Sequence, residues 1–517
     1  MTFEIIFVVL SLAGMVVALA LDKMRPGMVL FSVVVLFLCT GILSPKEVLE
    51  GFSNKGMITV ALLFLVSEGV RQSGALSQVV KKVLPVRKTT VGKAQFRMLP
   101  AVAAISAFLN NTPVVVIFAP VIKSWAAKVN LPATKFLIPL SYATILGGMC
   151  TLIGTSTNLV VHGMVLSAGY EGFTLFELGK VGIFIAAAGL IYLILFSSKM
   201  LPDSRTGQSD EREEESGPVK FHQIEVVIGP RFPGINQSLG MFDFNRHYGG
   251  VIKEIRRNGQ SFSRKLDEMI FREGDTLILL ADDTFIPAWG ESSVFLMVAN
   301  GTVKEPVQSK KKRWLALALL LLMIGGATFG ELPAVRELIP GVRLDMFFFV
   351  AVTTVIMAWT KLFPAKKYTK YISWDILITI ACAFAISKAM ENSGFAALIA
   401  KYIIGMADSY GPYALLAVIF LITNLFTELI TNNAAAALAF PVALSVANQL
   451  SVSPVPFFVV ICMAASAAFS TPIGYQTNLI VQGIGNYKFT DFVRVGLPLN
   501  LITFLLSVFL IPLFWTF

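Results

Sequence analysis

The chain has 517 residues, 55% of them apolar and 14% charged, with a formal net charge of +10 and a mean hydropathy of +0.73. Soluble domains carry about 25% charged residues, so the composition excludes a soluble globular protein and indicates an integral membrane protein. The basic excess lies in loops between apolar runs, which fits an orientation signal and excludes a nucleic-acid footprint; Cys39, Cys150, Cys382 and Cys462 stand singly, with no CxxC spacing, so neither a disulfide nor a bound metal is expected of them.

In chain order, runs approaching the roughly 20 apolar residues that cross a bilayer are predicted at 4–21, 28–43, 57–72, 136–162 and 180–198. The first lacks the basic lead and cleavage site of a signal peptide and reads as a membrane helix. Before the fourth run, an apolar hairpin-like segment, 97–126, is broken at Leu109-Asn-Asn-Thr-Pro113. Ahead of it, Gly74 to Val86 reads as an amphipathic helix lying along the membrane surface, followed by basic Arg87, Lys88, Lys93 and Arg97.

From 201 the composition changes. A charged linker, Asp210-Glu-Arg-Glu-Glu-Glu215, leads into short β-type runs at 224–228, 250–255, 276–280 and 294–297. Turn clusters such as Arg257-Asn-Gly-Gln260 and Arg272-Glu-Gly-Asp275 separate them, which predicts one small soluble α+β domain. The basic run Lys310-Lys-Lys-Arg313 closes it. Further spans are predicted at 314–330, 344–360, 374–391, 456–486 and 492–516, with a second interrupted hairpin, 412–447, broken at Thr427-Glu-Leu-Ile-Thr-Asn-Asn433.

The two apolar halves are copies. Thr151-Leu-Ile-Gly-Thr-Ser-Thr-Asn-Leu-Val-Val-His-Gly163 returns as Thr471-Pro-Ile-Gly-Tyr-Gln-Thr-Asn-Leu-Ile-Val-Gln-Gly483, with eight of thirteen positions identical at an offset of 320. Ser67 and Ser73-Gly74 match Ser387 and Ser393-Gly394 at the same offset; Asn111 and Pro120 match Asn432 and Pro441 at 321. The chain is therefore divided into a first membrane repeat (1–200), a linker and single soluble domain (201–313), and a second membrane repeat (314–517). Five spans and one re-entrant hairpin per half is an odd number of crossings, so the repeats are expected to be inverted. Placing the soluble domain in the cytoplasm puts the basic loops Lys81–Arg97, Lys123–Lys135, Lys361–Lys370 and Lys488–Arg494 inside, with Arg336, Arg343 and Lys401 as the main exceptions. The expected fold class is an all-α polytopic membrane protein of two inverted repeats with re-entrant hairpins and broken helices, carrying a small α+β domain between them.

Polar, Gly-containing breaks inside apolar segments survive in lipid only where they are buried in protein or line a cavity. Paired breaks in corresponding places of two halves point to a transporter's binding site. The candidates are Ser106, Asn110, Asn111 and Thr112 at the first hairpin tip and Thr427, Thr431, Asn432 and Asn433 at the second. Gly147, Gly148, Gly154, Thr157 and Asn158, with Gly474, Thr477 and Asn478, supply the two broken segments. Freed helix-end N–H groups can hold an anion there and freed carbonyls a hard cation such as sodium; asparagines capping a kink are the alternative. Glu428 reads either as a functional intramembrane carboxylate or as an anchor for its hairpin, and Lys388 with Glu68 as an inter-repeat ion pair. His162, His222 and His247 show no ligand spacing, and His162 is expected at the membrane interface. No Arg or Lys lies in the four motifs, so a bound anion would be neutralised by helix dipoles and co-bound cations.

These tips, breaks and duplications resemble the divalent anion:sodium symporter family of sulfate and dicarboxylate carriers, over about 400 residues. That family carries Ser-Asn-Thr at each tip, where this chain has Asn110-Asn111-Thr112 and Thr431-Asn432-Asn433. Its dicarboxylate carriers have Gly-Thr-Pro-Pro-Asn in the breaks, where this chain has Gly154-Thr-Ser-Thr-Asn158 and Gly474-Tyr-Gln-Thr-Asn478, a departure that favours the sulfate branch. The resemblance implies an elevator-type carrier, usually a homodimer. It implies substrate contacts at Asn110, Asn111, Thr112, Thr431, Asn432, Asn433, Thr157, Asn158, Thr477 and Asn478. It further implies sodium at Ser106, Asn111, Gly148 and Gly154 and at Thr427, Asn432 and Gly474. The Arg-Asn-Gly and Arg-Glu-Gly-Asp-Thr-Leu stretches of the soluble domain resemble the C-terminal lobe of regulator-of-potassium-conductance (RCK) domains, in one copy. A small regulatory ligand there is a further candidate partner.

The expected function is uptake of a small divalent oxyanion, sulfate first, coupled to sodium across a bacterial-type inner or plasma membrane; a C4-dicarboxylate or tricarboxylate, or another oxyanion such as exported arsenite, is the carrier alternative. An RCK-regulated channel is the other class, but no Thr-Val-Gly-Tyr-Gly filter is present. No HExxH, Gly-x-Ser-x-Gly or clustered His and acid suggests an enzyme, and no cofactor beyond the coupling ion is expected.

Overall fold

A computed structural model describes residues 3–21, 24–85, 89–203, 222–229, 231–282, 285, 289, 294–300, 310–330, 335, 337, 344–407 and 411–517. The linker Asp210–Glu215 and the basic residues Arg87, Lys88, Arg336 and Arg343 lie outside them. The described chain is mostly helical. The first half runs α1 (Phe3–Ala20), α2 (Pro26–Cys39), α3 (Pro45–Phe52), α4 (Lys55–Gln72), α5 (Ala75–Val83), α6 (Val91–Ser106), α7 (Asn111–Lys128), α8 (Thr134–Gly148), α9 (Ser156–Ser167) and α10 (Gly179–Tyr192), which continues through a π turn to Met200. The second runs α12 (Lys310–Gly330), α13 (Met346–Trp359), α14 (Trp374–Asn392), α15 (Phe395–Ala407), α16 (Gly411–Leu429), α17 (Asn432–Leu450), α18 (Val455–Ser466), α19 (Gln476–Gly485) and α20 (Phe489–Phe514). Among the described residues six helices are long and apolar enough to cross a membrane, or seven if the bent pair α14–α15 is one span.

The duplication reaches further than the motifs. α2 and α13 begin 320 residues apart, and short α3 has its counterpart in a 3-10 turn, Ala365–Lys370, neither of which the hydropathy pattern reveals. Gly74 and Gly394, at φ +70° and +77°, turn the chain between α4 and α5 and between α14 and α15; the second bend is 73°. Both take up a left-handed conformation that a side chain would strain. Each half lends its early helix to the other: α2 packs on α14, and α13 on α4. The approach is close, since a Cβ on Gly51 of α3 would stand 2.2 Å from the Ala381 carbonyl oxygen of α14, and one on Gly69 of α4 2.8 Å from Met357 Sδ of α13. The expected Glu68–Lys388 pair does not form. Glu68 is held by Arg71 at 2.7 Å one turn along its own helix, and Lys388 pairs with Glu391 at 3.1 Å, because i,i+3 neighbours share a helix face.

Between α10 and α12 in sequence, residues 222–300 form an antiparallel sheet of order β3-β2-β4-β1-β5. Its strands are β1 (His222–Ile228), β2 (Gly250–Arg257), β3 (Gln260–Phe262), β4 (Thr276–Ala281) and β5 (Phe295–Asn300), with a short helix α11 (Phe244–Tyr248) before β2. β3 and α11 are too short to stand out in the sequence. Asn258 and Gly259, both at positive φ, make the two-residue turn that joins β2 to β3 with the strands' own twist. Phe232, Phe242, Phe244, Tyr248, Phe271 and Phe295 fill a core separate from that of the helices.

This β unit rests on two helices. Lys123 of α7 reaches the Glu225 carboxylate of β1 at 2.6 and 2.8 Å. Gln482 of α19 donates to Asn258 Oδ1 at 3.0 Å, and the Gly259 N–H donates to Asn486 Oδ1, just past α19, at 2.9 Å.

Candidate binding site

Both hairpins and both broken helices are stapled in the same way, bond for bond. In the first half Thr151 donates to the Ala107 carbonyl and accepts from the Gly154 N–H at 3.2 Å. Asn158 Nδ2 donates to the carbonyls of Gly148 at 3.3 Å and Thr151 at 2.9 Å. In the second, Thr471 donates to the Glu428 carbonyl at 2.9 Å and accepts from Gly474 N–H at 3.2 Å, while Asn478 Nδ2 donates to Ala468 at 2.9 Å and Thr471 at 3.1 Å. These contacts satisfy carbonyls that the helix ends α8 and α18 leave free. The amide nitrogens of Asn158 and Asn478 are committed to the breaks, and Ser141 of α8 donates to Thr477 Oγ1 and Asn478 Oδ1 at 2.8 and 2.7 Å.

The tips are built alike as well. Ser106 donates to Asn111 Oδ1 at 2.7 Å, and Thr427 to Asn432 Oδ1 at 3.1 Å and to the Ala465 carbonyl at 2.6 Å. Each tip then crosses to the other half's broken helix. Thr112 donates to Gln476 Oε1 at 3.3 Å, and Ser156 and Thr157 donate to Asn433 Oδ1 at 3.3 and 3.4 Å. Asn110 faces a small cleft shared with Ser67 and Ser156. Thr431 Oγ1 is buried without a partner among the described residues.

The centre is held by a residue that the motif reading passed over. The Tyr475 hydroxyl accepts from Asn111 Nδ2 at 2.7 Å, lies 2.9 Å from Thr155 Oγ1, and has the Asn432 side chain beside it. The N-termini of α7, α9, α17 and α19 therefore meet around one hydroxyl. Three of their N-caps, Asn110, Thr431 and Tyr475, make no side-chain capping bond; the fourth, Thr155, accepts from the Thr157 N–H at 3.4 Å. Each free helix start carries about half a positive elementary charge, so the four together present about +2 with no Lys or Arg in the motifs. The only signal for Tyr475 in the sequence is its departure from Thr155 at the same repeat position.

The fit of sodium can be read from the glycines. A Cβ on Gly148 would stand 2.9 Å from Asn111 Oδ1 and 3.1 Å from the Gly154 carbonyl oxygen, and one on Gly154 2.6 Å from the Gly148 carbonyl oxygen. Asn111 Nδ2 at 3.2 Å and the Gly148 Cα at 2.7 Å stand there too; the three oxygens among these neighbours are the donor type that suits a hard cation. In the second half a Cβ on Gly474 would meet the Thr427 carbonyl oxygen at 2.8 Å and Thr471 Oγ1 at 3.2 Å, but also the Ala468 methyl at 2.9 Å. The two places thus differ in lining, an Ala468 methyl standing in the second half where Gly148 stands in the first.

Glu428 anchors its hairpin through one oxygen, while its Oε2 is buried with no partner among the described residues. One carboxylate oxygen accepts from the Ser470 N–H at 2.8 Å and Asn500 Nδ2 at 2.7 Å, tying the second hairpin to α18's break and to α20. His162 is not a free interfacial group: its Nδ1 accepts from the Phe173 N–H at 2.9 Å and fixes the turn after α9. No group of three or more His, Cys, Asp or Glu among the described residues could hold a metal, and the four cysteines are free.

Comparison with known proteins fits this geometry. The citrate transporter family profile matches residues 16–439 and again 338–517. The chain belongs to the citrate transporter family. This citrate-transporter homologue is 30% identical over 93% of its length, and 92% of the relative's, to an uncharacterized transporter of Synechocystis. It is 22% identical, over 96% of the chain and 88% of the relative, to sodium/sulfate cotransporter 1 of Chlamydomonas reinhardtii. The YdaH transporter of Alcanivorax borkumensis has a similar fold, with a TM-score of 0.50 at 13% identity over 91% of this chain and 89% of that one. The family member described here is a membrane transporter and not an enzyme.

Proposed function

We propose that the protein is a secondary active transporter that takes up a small divalent oxyanion, sulfate first, together with sodium. The observation that carries this reading is the meeting of four helix N-termini around the Tyr475 hydroxyl. Their summed charge of about +2 matches a divalent anion, and hydroxyls and amides supply donors for its oxygens. Sodium would be held by the Asn111 Oδ1 and carbonyl oxygens beside Gly148 and Gly154, where its charge would help order the anion. The name of the Chlamydomonas sodium/sulfate relative supports the same pairing.

In this reading the hairpins and broken helices move as one body in an elevator cycle, against a frame that includes the exchanged α2 and α13, within a homodimer. The β unit is a cytoplasmic domain resembling one RCK C-terminal lobe, and its seat on α7 and α19 supports a regulatory role. The family's own description favours a carboxylate as substrate, and the second reading is accordingly a sodium-coupled carboxylate carrier. Radiolabelled sulfate uptake into liposomes under an inward sodium gradient separates the two. Sodium-driven uptake displaced by sulfate and not by succinate or citrate is expected. Uptake absent for sulfate but present for labelled succinate or citrate would transfer the assignment to the carboxylate reading.

A further inference from the structure

We infer that Tyr475 sets the size of anion the site admits. The inference rests on reading the four converging helix ends as the substrate site. The surroundings of the two repeat-related positions are otherwise closely matched. Thr155 and Tyr475 each stand at the N-cap of a broken helix, one residue after the glycine of the repeated motif. Around them the Thr151 and Thr471 staples, the Asn158 and Asn478 clamps and the tip bonds agree in partner and nearly in distance. In that matched frame the phenol ring is an intrusion from one side. It carries its hydroxyl past its own half to Asn111 at 2.7 Å and to Thr155 at 2.9 Å, the very residue it replaces in the repeat.

A threonine at 475 could not make that reach, and the space between the tips would be correspondingly larger. The ring is half-buried and its hydroxyl is held by Asn111 of α7 and by Thr155 at the start of α9, so it cannot swing aside without breaking those bonds. An anion held between the tips must therefore fit beside the ring. A compact tetrahedral oxyanion is admitted, whereas a longer di- or tricarboxylate collides with it. The hydroxyl has a second task. Asn111 Nδ2 already donates to it, so its own proton is directed to Thr155 or to the bound anion.

The test is ligand-induced thermal stabilisation of the purified full-length protein in sodium buffer, with sulfate, succinate and citrate titrated separately. Stabilisation by a ligand reports binding without requiring transport. Tyr475→Thr is expected to move the preference toward the larger anions by at least about tenfold in the ratio of half-effective concentrations. Tyr475→Phe keeps the ring and is expected to keep the wild-type ranking with weaker binding throughout. Size-exclusion profiles and ligand-free melting temperatures establish that both variants fold. If wild type prefers a dicarboxylate but Tyr475→Thr still moves the preference to citrate, the sulfate reading fails and the role of Tyr475 stands. An unchanged ranking in Tyr475→Thr, including no stabilisation of either protein by any anion, overturns the inference, as does a Tyr475→Phe variant whose ranking moves as far as that of Tyr475→Thr.

Discussion

Replacing Asn111 with alanine removes both bonds that fasten the first tip. Asn111 is fully buried, its Oδ1 accepts from Ser106 and its Nδ2 donates to Tyr475, each at 2.7 Å. The substitution leaves the Ser106 hydroxyl and one face of the Tyr475 oxygen without a partner. A stranded buried donor or acceptor costs about 1–3 kcal/mol, and Tyr475 retains other partners, so the tip loses about 2–4 kcal/mol of preference for its binding geometry. At about 1.4 kcal/mol per tenfold, affinity and uptake fall by about 30-fold to about 700-fold. Asn432→Ala is milder, because Thr427 still donates to the Ala465 carbonyl at 2.6 Å. Initial rates in proteoliposomes, normalised to folded protein by size exclusion, read both. Asn111→Ala within about threefold of wild type in a folded protein, a shift of less than about 1 kcal/mol, would refute the placement of the site at this tip.

The pair Gly148 and Gly154 gives a second expectation. Gly154→Ala puts a methyl 2.6 Å from the Gly148 carbonyl oxygen and 2.7 Å from its Cα, a backbone collision worth about 1–3 kcal/mol, so melting temperature and sodium-dependent stabilisation should both drop; Gly325→Ala, with nothing within 4 Å, should leave them unchanged or higher. In the β unit, burial pushes the Asp275 carboxyl up, opposed by its bonds to Arg257. A raised folded value means that protonation favours the fold: the stability is fully present below the ordinary carboxylate value and is lost as pH rises through the elevated one. Arg257→Ala removes the opposing charge and should cost about 3–5 kcal/mol at neutral pH, with part recovered on acidification. Hydrogen exchange of peptides from 222–300, slowing as pH-corrected conditions turn acidic, would show it, and a pH-independent loss would contradict it. Gly483→Ala places a methyl 2.8 Å from Thr276 Oγ1 and 2.9 Å from the Gly274 carbonyl oxygen and should loosen the β unit from α19. Transport rate should change while competitor ranking stays; a changed ranking would mean that the β unit shapes specificity.

The duplication was legible because it is written in residue types that cannot be exchanged. Gly154 and Gly474 face backbone or side chains at under 3 Å, and Asn158 and Asn478 reach pairs of carbonyls seven and ten residues back, so the spacing repeats with the chemistry. Hydropathy reveals the long apolar helices and misses the short ones: α3 and the turn Ala365–Lys370 are too short and polar to register. Pairing across the halves was equally hidden. Glu68 and Lys388 match in the repeat, and matching positions of two copies need not touch; each found a partner one turn away. Tyr475 was overlooked for the same reason that it matters, since a search for what two copies share discards what one copy alone carries.

The last glycine of the repeated motif shows how copies of one helix can be put to different use. Gly163 leaves room for the Asn54 side chain, 2.6 Å from where its Cβ would be, and the Asn54 amide donates to the Gly163 carbonyl at 3.3 Å, so α9 is held by the start of α4. In the second half the same opening at Gly483 is filled from outside the helices, by Gly274 and Thr276 of the β unit. α19 is ten residues long, about 15 Å at 1.5 Å per residue. At its start Gln476 accepts from Thr112 and Thr477 from Ser141, and at its end Gln482 and the C-cap Asn486 meet the turn Asn258-Gly259. α7 also joins the tip to the sheet, with Asn111 at its start and Lys123 on Glu225, though Pro120 interrupts the helix between them. The β unit is thus bonded, through Glu225 and the turn Asn258-Gly259, to two of the four helices whose starts converge on Tyr475.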